Sequence, residues 1–293
     1  MSQPVSSILS ATDFSEDSRV AARRAAMLAA QFPAELKLVH ALEPGVLQVL
    51  KETLRLSLSK GPEAVTDRLG EQLRAMAQEL TSVAGREVAT ELLEGRASEV
   101  IPGTANQHDL FVLGAQGGHR IRELALGTTA QRIMDKVESS VLVVRGAADQ
   151  PYKRILLATD FSESAQRATA LAQAFSAGQP LQLAHVFELH HELQTAFAEV
   201  DDDAVERYRQ QCLEDVQQRM NGFMGSAGLD ASATRVHISE GYPPKTLAEI
   251  AQSEGADLLV LGKHGHTAAE RFFAGSVAHN LLADAPCDVL VVA

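Results

Sequence analysis

The chain has 293 residues, 45% hydrophobic and 22% charged, enough for two domains of about 145 residues each. A formal net charge of −12, no Trp and three Tyr argue against nucleic acid as a partner, because neither a basic surface nor aromatic stacking platforms are on offer. Two cysteines, Cys212 and Cys287, give no disulfide framework, the N-terminus shows no basic-then-apolar leader, and no apolar run reaches about 18 residues; the expectation is a cytoplasmic chain without a membrane span.

Taken in order, Val5 to Ala11 reads as a first buried strand, ending in Thr12-Asp13-Phe14-Ser15. Ser15 is the candidate N-cap of a helix that runs to about Gln31, with Asp17 in its first turn and Pro33 marking the break. Leu36 to Leu42 is a second strand containing His40, and 47–83 read as mostly helical with an interruption at Gly61-Pro62. Val88 to Leu93 is a third strand ended by Gly95, and Glu99 to Gln107 a short helix carrying Pro102. A fourth strand, Leu110 to Leu113, leads into a glycine loop, a helix from Gly127 to Asp135 follows, and Val141 to Val144 closes the set.

After a small, polar linker at 146–151 the pattern restarts. The run from Ile155 to Glu163, with Thr159-Asp160-Phe161-Ser162, repeats the run from Ile8 to Glu16. Leu181 to Phe187 repeats the second strand, His185 matching His40, and Ala204 to Phe223 is an amphipathic helix preceded by an Asp201-Asp202-Asp203 helix start. Val236 to Gly241, Leu258 to Leu261 and Val289 to Val292 complete a second copy. The chain is therefore a tandem duplication, with domains at 1–146 and 152–293. Strands alternating with helices indicate an α/β fold with parallel sheets, whose ligands sit at the carboxyl ends of the strands.

Each copy carries a glycine pattern just after its fourth strand: Gly114, Gly117, nine residues, then Gly127-Thr128; and Gly262, Gly265, nine residues, then Gly275-Ser276. Glycines admit a ligand close to the backbone, and a helix N-terminus favours an anion. Thr12-Asp13 and Thr159-Asp160 also follow strand ends, so each can share a crevice with its glycine loop. Lys263, His264, His266 and Arg271, with Arg120, Arg122 and His119 in the first copy, are cations in or near the loops. No Walker-type loop and no nucleophile–base–orienter set is present, and no residue is assigned as catalytic. Six of the seven histidines of the second half (His185, His190, His191, His264, His266, His279) lie near predicted strand ends, loops or a helix start, but no His-x3-His or Cys-x2-Cys spacing is present, so no metal ligand is assigned.

The Thr-Asp-Phe-Ser strand ends, the Gly-x2-Gly-x9-Gly-[Ser/Thr] pattern and the closing Val-Leu-Val-Val strand resemble the universal stress protein family in its tandem form, over nearly the whole chain. The resemblance implies two Rossmann-like domains (adenine nucleotide alpha hydrolase-like), each a five-stranded parallel sheet in the order 3-2-1-4-5 with helices on both faces. It implies pairing of last strands, so Val141–Val144 and Val289–Val292 are expected to make an intramolecular pseudo-dimer, with a homodimer also open. By position, Thr12, Asp13, Ala41, Gly114, Gly117, Gly127 and Thr128 would hold one adenine nucleotide, and Thr159, Asp160, Val186, Gly262, His264, Gly265, Gly275 and Ser276 another. The ligand implied is ATP, ADP or AMP, with Mg2+ as a companion ion. The chain departs from the family pattern at Glu138-Ser139-Ser140, at Asp288, and at Ala41, which is smaller than the usual valine. The reading is a nucleotide-dependent sensor or switch acting on an unknown protein partner, with ligand binding ordering the glycine loops and the long helices at 47–83 and 190–224. The alternative is a slow ATP hydrolase, or a hydrolase of a nucleotide-linked small molecule with a histidine-bound metal in the second half.

Overall fold

A computed structural model describes residues 4–43, 63–115, 127–188, 202–263 and 276–293. The chain divides into two units, Met1–Pro151 and Tyr152–Ala293.

The first unit contains β1 (Ser7–Ala11), α1 (Glu16–Gln31), β2 (Glu35–Leu42), α2 (Glu63–Ala84), β3 (Val88–Glu94), α3 (Ala97–Ala105), β4 (Leu110–Gly114), α4 (Thr128–Met134) and β5 (Ser140–Val144). Its strands lie in the order β3-β2-β1-β4-β5, and every pair is parallel. The second unit contains β6 (Ile155–Ala158), α5 (Glu163–Phe175), β7 (Gln182–Phe187), α6 (Asp202–Ser226), β8 (Arg235–Glu240), α7 (Pro243–Ser253), β9 (Leu258–Gly262), α8 (Ser276–Asp284) and β10 (Asp288–Val292). Its order is β8-β7-β6-β9-β10, again parallel throughout. Helices cover both faces of each sheet, so the central strands are continuous apolar runs: Leu110 to Val112 and Leu258 to Val260 are all fully buried.

The first helix of each unit starts where the sequence says it should. Ser15 caps α1, accepting from the Ser18 N–H at 3.3 Å, and Ser162 caps α5, accepting from Ala165 at 3.1 Å. The buried face of α1 is a row of alanines (Ala21, Ala22, Ala25, Ala26, Ala29), all inaccessible, which lets its axis ride close to the sheet. Pro102 inside α3 leaves the Ser98 carbonyl without a backbone donor from position 102; the Lys136 ammonium takes it at 3.0 Å. The Asp-rich stretch does start a helix, α6, at Asp202. One helix is missing from the sequence reading: α7 opens on Pro243-Pro244, prolines at the first helical positions, where an absent N–H costs nothing.

Two aspartates clamp strand to strand at the opposite end of each sheet from the site. Asp109, leading into β4, accepts at one oxygen from the N–H and hydroxyl of both Ser6 and Ser7 (2.8, 2.6, 3.0 and 3.1 Å). Burial opposes its ionisation, but the Ser6 and Ser7 hydrogen bonds outweigh it, so its pKa lies below the ordinary aspartate value. Asp257 holds the Lys153 and Arg154 N–H groups, one at each carboxylate oxygen, at 2.8 and 3.0 Å. Asp288, where the sequence leaves the family pattern, is buried at the start of β10 and accepts from the Tyr152 hydroxyl at 2.6 Å. Cys212 is half-buried and Cys287 buried, and both remain thiols.

Candidate functional site

In both units the first strand ends in the same turn. The Thr12 N–H donates to the Val39 carbonyl and the Thr159 N–H to the Ala184 carbonyl, each at 2.9 Å, holding the strand to its neighbour to the last residue. The threonine hydroxyl then accepts from the N–H two residues on, Phe14 or Phe161, at 3.0 Å. The aspartate does likewise, Asp13 for the Ser15 N–H and Asp160 for the Ser162 N–H, at 3.0 Å in both. These overlapping turns place Phe14 at φ 64° and Phe161 at φ 67°, a conformation uncommon outside glycine. Ser15 and Ser162 are spent as helix caps, and the threonine hydroxyls hold the turn.

A histidine from the second strand secures each turn. His40 Nδ1 lies 2.7 Å from the Thr12 carbonyl and His185 Nδ1 2.7 Å from the Thr159 carbonyl. A carbonyl can only accept, so Nδ1 carries the proton, and Nε2 of the neutral ring is an acceptor. The imidazole also packs at a tilt against the turn phenylalanine, with centroids 4.6 Å apart for Phe14–His40 and 4.3 Å for Phe161–His185. In the second unit the far side of Phe161 meets α6: the Arg219 guanidinium sits 4.5 Å from the ring centroid, and Phe223 makes an edge contact at 5.9 Å. Burial, and next the Arg219 charge, push the His185 pKa below its ordinary value; the Thr159 hydrogen bond and the Asp160 carboxylate pull the other way without prevailing.

Gly114 and Gly262 end the fourth strands, and the structure supplies a reason for each glycine that the sequence did not show. A Cβ on Gly114 would stand 2.9 Å from both the carbonyl carbon and oxygen of Asp17, in the first turn of α1. A Cβ on Gly262 would stand 2.9 Å from the Ser164 carbonyl carbon at the start of α5 and press on its hydroxyl. The helix start occupies the space a side chain would need, so close packing alone requires glycine at both positions.

In the second unit these features bound a cleft of about 170 Å3 at the carboxyl ends of β6, β7 and β9. Thr159, Asp160, Val186, Gly262 and Ser276, all named from the sequence, line it together. So do Lys263, which the sequence offered as a cation of the second loop, and His185, Pro243 and Leu247, which the sequence reading did not place there. The signal for α7 was present in the Gly-Tyr-Pro-Pro run; for His185 it was the repetition of a histidine at the same strand position. In the first unit Thr12, Asp13, Ala41 and Gly114 lie at the corresponding end of β1, β2 and β4. Gly127 caps α4, its N–H donating to the Ala115 carbonyl at 3.0 Å, and Thr128 is the first residue of that helix. Gly117, His264, Gly265 and Gly275 lie outside the described residues. Among the described residues no cluster of three His, Cys, Asp or Glu side chains is arranged to hold a metal, and no helix is long and apolar enough to cross a membrane.

The strand order reverses beside β1 and again beside β6, which is where doubly wound sheets place their ligands. Comparison with known proteins gives the same architecture. A universal stress protein of Thermus aquaticus is 34% identical over 144 residues, 48% of this chain and 98% of its own length. The structure of a universal stress protein from Archaeoglobus fulgidus is alike over 100% of this chain and 99% of its own, with a TM-score of 0.67 at 18% identity. A Pseudomonas aeruginosa structure given the same family description covers 99% of this chain and 94% of its own, with a TM-score of 0.65 at 17% identity. At such identities the structural likeness speaks to the fold alone. The sequence profile of the Universal stress protein family matches residues 5–145 and again 151–293. Matched twice along nearly its whole length, the chain belongs to the universal stress protein family and carries two of its domains in tandem.

Proposed function

We propose that the protein binds an adenine nucleotide at the carboxyl end of each sheet and works as a nucleotide-dependent sensor or switch. The observation that carries this reading is the cleft of the second unit. Five residues chosen from two separate sequence motifs, Thr159-Asp160 and the glycine pattern, with Val186 between them in the chain, line one cavity at a topological switch point. Val186 and Leu247 offer an apolar wall to a base, Asp160 an acceptor for hydroxyl or amine donors, and the start of α8 a favourable dipole for phosphate. His264, Gly265 and Gly275 would complete the phosphate side, and Thr12, Asp13, Ala41, Gly114, Gly117, Gly127 and Thr128 would serve a second nucleotide in the first unit.

The output of such a switch runs through the Asp160–Phe161 turn. Asp160 lines the cleft, while the next residue packs on Arg219 and Phe223 of α6, so a ligand that pulls on the carboxylate biases a helix on the other side of the turn. The reading is tested by calorimetric titration of ATP, ADP and AMP, with and without Mg2+, into the full chain, alongside mass spectrometry of whatever the purified protein releases on heating. Binding of at least one adenine nucleotide, lost when Val186→Trp fills the cleft, is expected. Failure of all three to bind overturns the reading.

A further inference from the structure

The imidazole of His185 has two nitrogens, and the turn uses one of them. Nδ1 carries the proton that reaches the Thr159 carbonyl at 2.7 Å, and the ring packs on Phe161 with centroids 4.3 Å apart, so its position and tilt are both held. Nε2, across the ring, makes no hydrogen bond among the described residues. The side chain is half-buried and lines the cleft of the second unit beside Thr159, Asp160 and Val186. Burial and the Arg219 charge keep the ring neutral at neutral pH, which leaves Nε2 an acceptor. Securing the turn does not by itself call for imidazole, since an amide donor would serve the Thr159 carbonyl as well. What imidazole adds is a second polar atom, fixed in place at the exits of β6 and β7. The Asp160 carboxylate is near enough for its charge to act on the ring, so two acceptors stand at this end of the cleft.

We propose that His185 is a specificity-determining residue of the second unit: its Nε2 accepts a hydrogen bond from a donor at the nucleoside end of the ligand, the exocyclic amine of the base or a hydroxyl of the ribose. A ligand that presents an acceptor or nothing at that point leaves Nε2 desolvated and unpaired, and is discriminated against for that reason. The inference rests on the adenine-nucleotide reading and deepens it by naming which atom of the cleft reads the donor-bearing end of the ligand.

The test separates the two nitrogens with two amides in the full chain. The amide of His185→Asn falls near the place of Nδ1, so it keeps a donor for Thr159 and removes the acceptor; that of His185→Gln falls near the place of Nε2, so it keeps an acceptor and gives up the Thr159 bond. Each protein is titrated with ATP and its denaturant midpoint measured. The expected orders are opposed: Asn is the more stable variant, yet binds ATP about three- to tenfold more weakly at one class of site, while Gln is less stable and binds within about twofold of wild type. Titration of 2′-deoxy-ATP, 3′-deoxy-ATP and inosine triphosphate then identifies the donor. The analogue lacking it is expected to bind wild type about three- to tenfold more weakly than ATP, and the Asn variant about as well as ATP does. ATP affinities that follow stability, an Asn variant that binds ATP as wild type does, or analogue losses equal in wild type and Asn overturn the role of Nε2 and leave the nucleotide reading standing. A wild-type protein that binds none of the four nucleotides overturns both.

Discussion

His185 donates its Nδ1–H to the Thr159 carbonyl across 2.7 Å, and 145 residues earlier His40 does the same to Thr12 across an equal distance. The bond joins the exits of two neighbouring strands and lays the imidazole against a phenylalanine held at positive φ. The histidine is therefore what allows the Thr-Asp-Phe-Ser turn to hold Asp160 at the rim of the cleft. Replacing His185 with Leu leaves the Thr159 carbonyl buried without its donor, and a loss of about 1–3 kcal/mol is expected, read as a lowered denaturant midpoint. His40→Leu is expected to act in the same direction through the first unit.

The same ring sets a pH dependence. His185 titrates below its ordinary value of 6.5 in the folded state because burial, then Arg219, disfavour its charge. As pH falls below about 6.5 the unfolded chain takes up a proton that the folded chain refuses, so stability declines from there down to the depressed folded pKa and is flat above 6.5. Arg219→Met removes one of the two depressing causes, and the His185 ring resonances are expected to titrate at higher pH in that variant by NMR. Asp109 acts in a lower window: its pKa is held below 3.8, so its contribution is complete above that value and lost in stronger acid.

Gly262→Ala separates packing from ligand contact. The new methyl group would meet the first turn of α5 at 2.9 Å from the Ser164 carbonyl carbon, and overpacking of this kind costs about 1–3 kcal/mol. The midpoint of the ligand-free protein is expected to fall, and Gly114→Ala to behave alike against Asp17. A ligand-free protein of unchanged stability would return both glycines to a purely ligand-facing role.

Asp160→Asn distinguishes the two duties of that side chain. An amide oxygen still accepts from the Ser162 N–H, so the turn survives and stability should change by less than about 0.5 kcal/mol. The negative charge offered to the cleft is gone, and nucleotide affinity is expected to drop about tenfold in the titration. Asp160→Ala removes both and should lower stability by about 1 kcal/mol as well. Wild-type affinity in the Asn variant would confine Asp160 to the turn.

Much of this architecture was legible in the sequence because both ends of the argument are local. Buried parallel strands are continuous apolar runs such as Leu258 to Leu261, and Ser15 and Ser162 announce their helices one residue ahead. Duplication did the rest, since each motif could be checked against its copy. The strand order came from family resemblance; no periodicity encodes which strands become neighbours. What stayed hidden were contacts between residues distant in the chain. Nothing near Gly262 in sequence says that Ser164 will press against it, and nothing near His185 says that its partner is the carbonyl of Thr159. α7 escaped because Pro243-Pro244 punctuates a turn as readily as it opens a helix.

The crowding of Gly114 and Gly262 bears on how a duplicated site would age. A copy that had ceased to bind anything would still be held to glycine there, since folding alone penalises every alternative. The first glycine of each pattern thus records how tightly a helix seats on its strand, and a tally of such glycines overstates how many sites are at work.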